Sequence, residues 1–395
     1  MKQKLTLHEN EEIKLNNKPD GKSGKGPAIY ILIAVLIVVT FASFFLMQPL
    51  VSASVDAASV FKNISQNISE FFNWIMGREL QTVIVHTVRR WITVLLVGCS
   101  LAAVGAMYKS IFRNTLAAPT TMGIQEGGVL GSIIFIFFFG GEAAVSSNWI
   151  TQTDIVQKIA NSDFMASYGQ TLFIFVGCFL GIFIVLLIST CAGKKTMSSA
   201  TLILVGTVVN GAIAGITSAV IYELTMGTGD DDLLKLLLNI TLGTFNYSYG
   251  ETQLIVMSAT LIPCMIIMGF FVNKMNIYSL GDEEAKASGM NIKVFRLFVI
   301  LLGVFMTAIT MIYVGHIAFV GFIVPQIAAA VVGSDFRRLY PASILLGGTI
   351  MVIVYDISIM TGTNDAISLI TTFVAGFMII FMLMKKRGRA DGVIG

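Results

Sequence analysis

LGDEEAKASGMNI, from Leu280 to Ile292, is a charged stretch set between two strongly apolar segments. Asp282, Glu283 and Glu284 follow Gly281, and Lys286 comes two residues later. That spacing predicts a short helix whose first turn carries the acids that the helix dipole favours there. Gly289 is placed to end it. A helix of about two turns is too short to persist by itself, so a neighbour must hold it, either this chain's own loops or a separate subunit. Composition by itself also permits a solvated turn.

The apolar flanks set the class. A chain of 395 residues with 55% hydrophobic and 12% charged residues lies far outside the range of a soluble domain, and it reads as an all-α polytopic membrane protein. Runs of about 20 apolar residues, enough to cross a bilayer, fall near 28–50, 88–108, 122–141, 169–190, 199–222, 252–272, 296–314, 318–333, 341–360 and 366–384. They predict about ten transmembrane helices, the seventh and eighth separated only by the break at Gly315 to Gly321. Residues 1–27 are polar, carry six Lys and read as a disordered cytoplasmic tail; residues 28–386 form the membrane domain and 387–395 a second cytoplasmic tail. The run Ala28 to Leu50 is too long for a signal-peptide core and reads as a retained anchor.

Charge orients the chain. With the amino terminus inside, 20 of the 26 Lys and Arg residues fall on the cytoplasmic side, which predicts an even number of crossings and two cytoplasmic termini. The outer segments 51–87, 142–170 and 223–250 read as surface helices. SVDAASVFKNISQNISEFFNWIMG is amphipathic in pattern, and Asp230, Asp231 and Asp232 read as a helix start rather than a cation site. A net charge of +3 with no basic, aromatic-interleaved face points away from nucleic acid. GKSGKG in the tail lacks Walker spacing and a preceding strand, so the chain is not expected to hydrolyse ATP. Cys99, Cys178, Cys191 and Cys264 lie in apolar segments without metal or redox spacing, and no metal or cofactor is implied.

Two blocks of sequence carry a family resemblance. The first joins Leu280, Gly281, Ala285 and Gly289 to Gly315, Ile317, Phe319, Gly321, Pro325, Gly333, Asp335, Arg337 and Pro341. The second is TVRRWITVLLVGCSLAAVGAMYKSIFRNTLAAPTTMGIQEGG, where Arg90, Gly98, Leu101, Ala102, Gly105, Arg113, Asn114, Leu116, Ala117, Pro119, Gly123 and Gly127 hold the pattern. Together they resemble the FecCD family, permease subunits of ABC importers for ferric siderophores, haem and cobalamin. Gln326, Ala329, Phe336 and Met360 depart from that family's polar residues. Gly98 and Gly105, seven apart on one helical face, suit close helix approach. Asn114, Pro119 and Gly123 would break the chain between two helices.

The resemblance implies a bacterial cytoplasmic-membrane permease that moves an iron chelate, ferric siderophore or haem, using ATP hydrolysed elsewhere. Its partners would be a second permease subunit, two ABC ATPase subunits, a lipid-anchored or periplasmic substrate-binding protein, and membrane lipid. Leu280, Gly281, Asp282, Glu283, Glu284, Ala285 and Gly289 would couple to the ATPase. Ser198 and Ser199, in a small-residue loop, would narrow the cytoplasmic exit, and Gly206, Thr207 and Asn210 would line the pathway. Thr207 and Asn210, three apart, share a helical face and could instead bond between helices. Arg89 and Arg90 sit on the face disfavoured for basic residues; they either snorkel to headgroups or receive acidic knobs of the binding protein. The alternative is an ion-coupled secondary transporter, which needs buried acids near the midplane and would rest on Asp356.

Overall fold

The structure, a computed structural model, describes residues 34–40, 42–43, 82–139, 164–192, 199–228, 231–245, 250–361 and 366–377. Both tails, the amphipathic segment 54–77, Asp230, Ser198 and most of the first apolar run lie outside the described residues. Among the described residues, twelve helices follow a short helical stretch at 34–40: α1 (Thr82–Ile111), α2 (Ile124–Phe139), α3 (Phe164–Ala192), α4 (Ser199–Thr228), α5 (Asp231–Leu242), α6 (Glu251–Phe270), α7 (Val272–Leu280), α8 (Asp282–Ala287), α9 (Ile292–Val314), α10 (Val320–Val332), α11 (Phe336–Thr361) and α12 (Ile367–Phe377). None of the described residues forms a strand. That is the outcome lipid imposes, because a helix satisfies its backbone within itself.

Six of these helices, α1, α3, α4, α6, α9 and α11, are long and apolar enough to cross a membrane, while α2, α5, α10 and α12 are shorter apolar helices. Nine of the ten expected spans thus correspond to described helices. The helix expected after Asp230 is α5, with Leu233, Leu237 and Ile240 on its buried face. α1 is the centre of the bundle, with α6, α7, α9, α10 and α11 packed around it.

Small residues set the helix spacing, since lipid offers no hydrophobic drive for helices to associate. A side-chain carbon added at Gly98 would lie 2.3 Å from the Gly347 carbonyl oxygen of α11, and one at Gly105 only 1.8 Å from that of Gly321 in α10. Between α2 and α3 the contact is reciprocal: carbons at Gly127 and Gly177 would lie 2.3 and 2.2 Å from the opposite carbonyl oxygens.

Two breaks interrupt the helices, and the first runs at membrane depth. Gly321 faces Leu101 and Gly105 of α1, and Leu101 is 13 residues, about 20 Å, into the span that begins at Val88. The non-helical stretch 315–319 is therefore buried in protein. Its backbone is satisfied by distant segments: the His316 N–H donates to the Ile240 carbonyl at 3.0 Å, the Val314 carbonyl accepts from Thr244 at 2.9 Å, and the Ser368 hydroxyl donates to the His316 carbonyl at 2.6 Å. The second break, 112–123, packs on the start of α10 and on Phe319 of the first, with Pro119 against Gly321 and Ala118 clustered with Phe322 and Ile323. Irregular backbone at this depth is tolerated only with such cover.

Candidate functional site

The stretch 280–292 folds as the sequence predicts. α8 is a six-residue helix, Asp282 to Ala287, with Asp282, Glu283 and Glu284 in its first turn. The Gly289 N–H donates to the Lys286 carbonyl at 2.9 Å and the Met290 N–H to the Ala285 carbonyl at 3.1 Å, the paired bonds of a glycine-terminated helix. Gly289 takes φ +80, where a side chain would be strained. One face is pinned: Ala285 is fully buried and Asp282 pairs with Arg113. Glu283, Glu284, Lys286 and Gly289 point away from the bundle, and Leu280 is 73% exposed.

A second contact anchors the helix that precedes α8. The Asn276 amide donates to the Asp335 carboxylate at 2.7 Å while its oxygen accepts the Phe336 N–H at 2.8 Å, and Arg337 Nε donates to Asn273 at 2.8 Å. Asp335 also accepts the Arg337 N–H at 3.0 Å. These bonds, the Arg337 N–H first and the Asn276 amide second, hold its carboxyl below the usual carboxylate range. Asn273 and Asn276 carried no signal in the sequence, because their partners lie some 60 residues away.

The α4 residues divide. Gly206 and Asn210 face the protein: a carbon at Gly206 would lie 2.2 Å from the Thr121 carbonyl oxygen, and the Asn210 amide donates to the Thr120 carbonyl at 2.5 Å. Thr207 is exposed, its hydroxyl turned back to the Leu204 carbonyl at 2.9 Å. Residues three apart differ by about 60° around a helix, and here that angle straddles the edge of the buried face. Ser199 opens α4.

Arg89 and Arg90 lie at the opposite end, about 21 residues and roughly 30 Å of helix from Ile111. Arg89 pairs with the exposed carboxylate of Glu251 at 3.3 Å. Arg90 turns inward and donates to the Tyr355 hydroxyl at 3.3 Å. Asp356 accepts from the Ser43 hydroxyl, one residue from Tyr355 and so towards this end of α11 rather than at the middle of the bundle.

Apolar helices packed around two breaks in the chain define a polytopic helical membrane protein. The chain belongs to the FecCD transport family, whose pattern matches residues 35–385. It is 28% identical over 328 residues, 82% of this chain and 88% of its counterpart, to a protein named as an ABC transporter permease in Methanocaldococcus jannaschii. It is 26% identical to the cobalamin import permease BtuC of Halobacterium salinarum (79% and 76% covered) and 26% identical to the hemin transport permease HmuU of Yersinia pestis (77% and 83% covered). The solved inward-facing structure of a metal-chelate type ABC transporter matches with TM-score 0.66 at 22% identity, over 91% of this chain and 99% of that one; this likeness is one of fold. The protein is thus an ABC importer permease embedded in the membrane. It is a transport subunit that works with a partner permease, and ATP hydrolysis belongs to a separate ATPase.

Proposed function

We propose that this chain forms half of a pathway that brings an iron chelate, ferric siderophore or haem, across the bacterial cytoplasmic membrane, the other half coming from a second permease. Residues 28–386 are the transport unit, and both termini lie in the cytoplasm, in keeping with the placement of its basic residues. The exposed face of 280–292 receives an ATPase subunit. The observation that carries this reading is an isolated short helix held by Ala285 and Asp282 while Leu280, an apolar side chain at the polar end of the bundle, stays 73% exposed.

Ser198, Ser199 and Thr207 line the narrow cytoplasmic part of the pathway, Gly206 and Asn210 seat that helix against residues 120 and 121, and Arg89 and Arg90 receive a substrate-binding protein at the outer face. The hemin and iron-hydroxamate permeases among the relatives support an iron chelate as the cargo, beside cobalamin and molybdate permeases of like identity. The test is uptake into liposomes holding the permease pair and its ATPase, with the binding protein outside and haemin or cyanocobalamin as the probe. ATP-dependent entry of haemin with no entry of cyanocobalamin is the expected result. Entry driven by an ion gradient through this chain without the ATPase would overturn the coupling assignment, and preference for cyanocobalamin would overturn the cargo.

A further inference from the structure

The end of α1 is joined to the 280–292 region through Arg113, a residue in the left-handed region at φ +46. Few non-glycine residues adopt that conformation unless their surroundings hold them there, and where they do it marks a candidate for function. Three contacts hold Arg113. Its guanidinium donates to the Tyr278 carbonyl at 3.0 Å, pairs with Asp282 of α8, and lies 4.7 Å from the centre of the Tyr278 ring. Tyr278 is fully buried, and its hydroxyl donates to the Ile111 carbonyl at 3.1 Å while accepting from Arg296 Nη2 at 2.6 Å. The tyrosine that precedes α8 is thereby clamped between the end of α1 and the start of α9.

From Arg113 the chain continues through the rest of the break, whose residues 114–121 are tied by their own side chains. The Asn114 side chain accepts the Leu116 N–H at 2.9 Å, and the Thr121 hydroxyl donates to the Leu116 carbonyl at 2.9 Å while accepting the Ala118 N–H at 2.9 Å. The far end of this segment meets α4, where Thr120 receives Asn210 and Thr121 abuts Gly206. A continuous set of contacts therefore runs from Asp282 to the two inward-facing α4 residues. A displacement of α8 has a short and rigid route to that helix.

We infer that Arg113 is the positioning residue through which movement of the 280–292 helix is passed, along residues 114–121, to Gly206 and Asn210 of α4. This rests on the reading of α8 as the ATPase-docking element. Arginine suits the task because one nitrogen of its delocalised cation bonds both Asp282 and the Tyr278 carbonyl while the guanidinium lies over the Tyr278 ring, a ring contact that the compact ammonium of lysine does not reproduce.

The experiment uses the assembled complex with its ATPase in nanodiscs, carrying Val208→Cys on the exposed face of α4 in a chain whose four native cysteines are Ala. The reporter is the rate of maleimide labelling at that cysteine, compared between nucleotide-free and ATP-vanadate-trapped states. Arg113→Gln, Arg113→Lys and Thr121→Val are each expected to keep the ATPase bound and hydrolysing while the labelling difference shrinks about fivefold or more, the span of a typical coupling energy. A merely structural role would lower assembly and hydrolysis together. Should Arg113→Gln fail to assemble, Arg113→Lys and Thr121→Val carry the test. A wild-type labelling difference in the assembled variants overturns the inference. Cross-linking from Glu283→Cys to the ATPase separates the two failures: if it forms and the labelling difference persists, only the role of Arg113 is wrong, whereas its absence in the otherwise unaltered complex overturns the docking reading itself.

Discussion

Replacing Gly105 with Ala adds one carbon where α1 meets α10. That carbon would lie 1.8 Å from the Gly321 carbonyl oxygen, 2.6 Å from its carbon and 2.8 Å from its Cα, against a floor of 3.0 Å for real contacts. The two helices must therefore part by more than 1 Å at this level. All three obstructing atoms are backbone, so no side-chain rotation relieves the clash. α1 has little room to retreat, because α6, α9 and α11 also pack on it, and the shift draws the Phe322 carbonyl away from the Lys109 ammonium, now at 2.7 Å. Overpacking of this kind costs about 1–3 kcal/mol, and the better helix propensity of Ala returns about 1 kcal/mol, so a net loss of up to about 2 kcal/mol is expected. Gly211→Ala is the matched control, because nothing lies within 4 Å of a carbon added there. Thermal unfolding of the purified chain in detergent should show a lower midpoint for Gly105→Ala and an unchanged or raised one for Gly211→Ala. Equal midpoints for the two would refute the claim that backbone contact sets the spacing of α1 and α10.

Gly289→Val should loosen the end of α8 by about 1–2 kcal/mol, the cost of a left-handed residue, and lower uptake per ATP hydrolysed; Gly289→Asn, which tolerates that conformation, should stay near the unaltered chain, and equal coupling ratios would show the helix end to be irrelevant. Asp335→Ala should cost about 1 kcal/mol through loss of the cap on α11. Because the folded carboxyl is held low, its contribution is complete above the ordinary aspartate value of about 3.9 and is lost only as pH falls through the lower folded value. The stability gap between the chain and its Asp335→Asn variant, followed by denaturation across acidic pH, should accordingly be flat above that value and narrow below it. Changing both Arg89 and Arg90 to Gln should weaken binding-protein docking by about 1–3 kcal/mol without lowering the yield of folded permease; unchanged affinity at low salt, where charge pairing is least screened, would leave only their internal contacts with Glu251 and Tyr355.

Properties carried by neighbouring residues were legible in the sequence. Apolar runs of bilayer length placed the helices, because in lipid each must satisfy its own backbone. The acids after Gly281 and the glycine at 289 delimited α8, because capping acts within one turn. Tertiary structure alone decided what depends on distant partners: that α10 begins at membrane depth, where segments near 240 and 368 supply the bonds 315–319 lacks; that Asn210 turns inward to Thr120 while Thr207 does not; and that Arg113, one of many basic residues by composition, is clasped by Tyr278 and Asp282. Helix periodicity fixes which residues share a face, but the packing of other helices determines which face is buried.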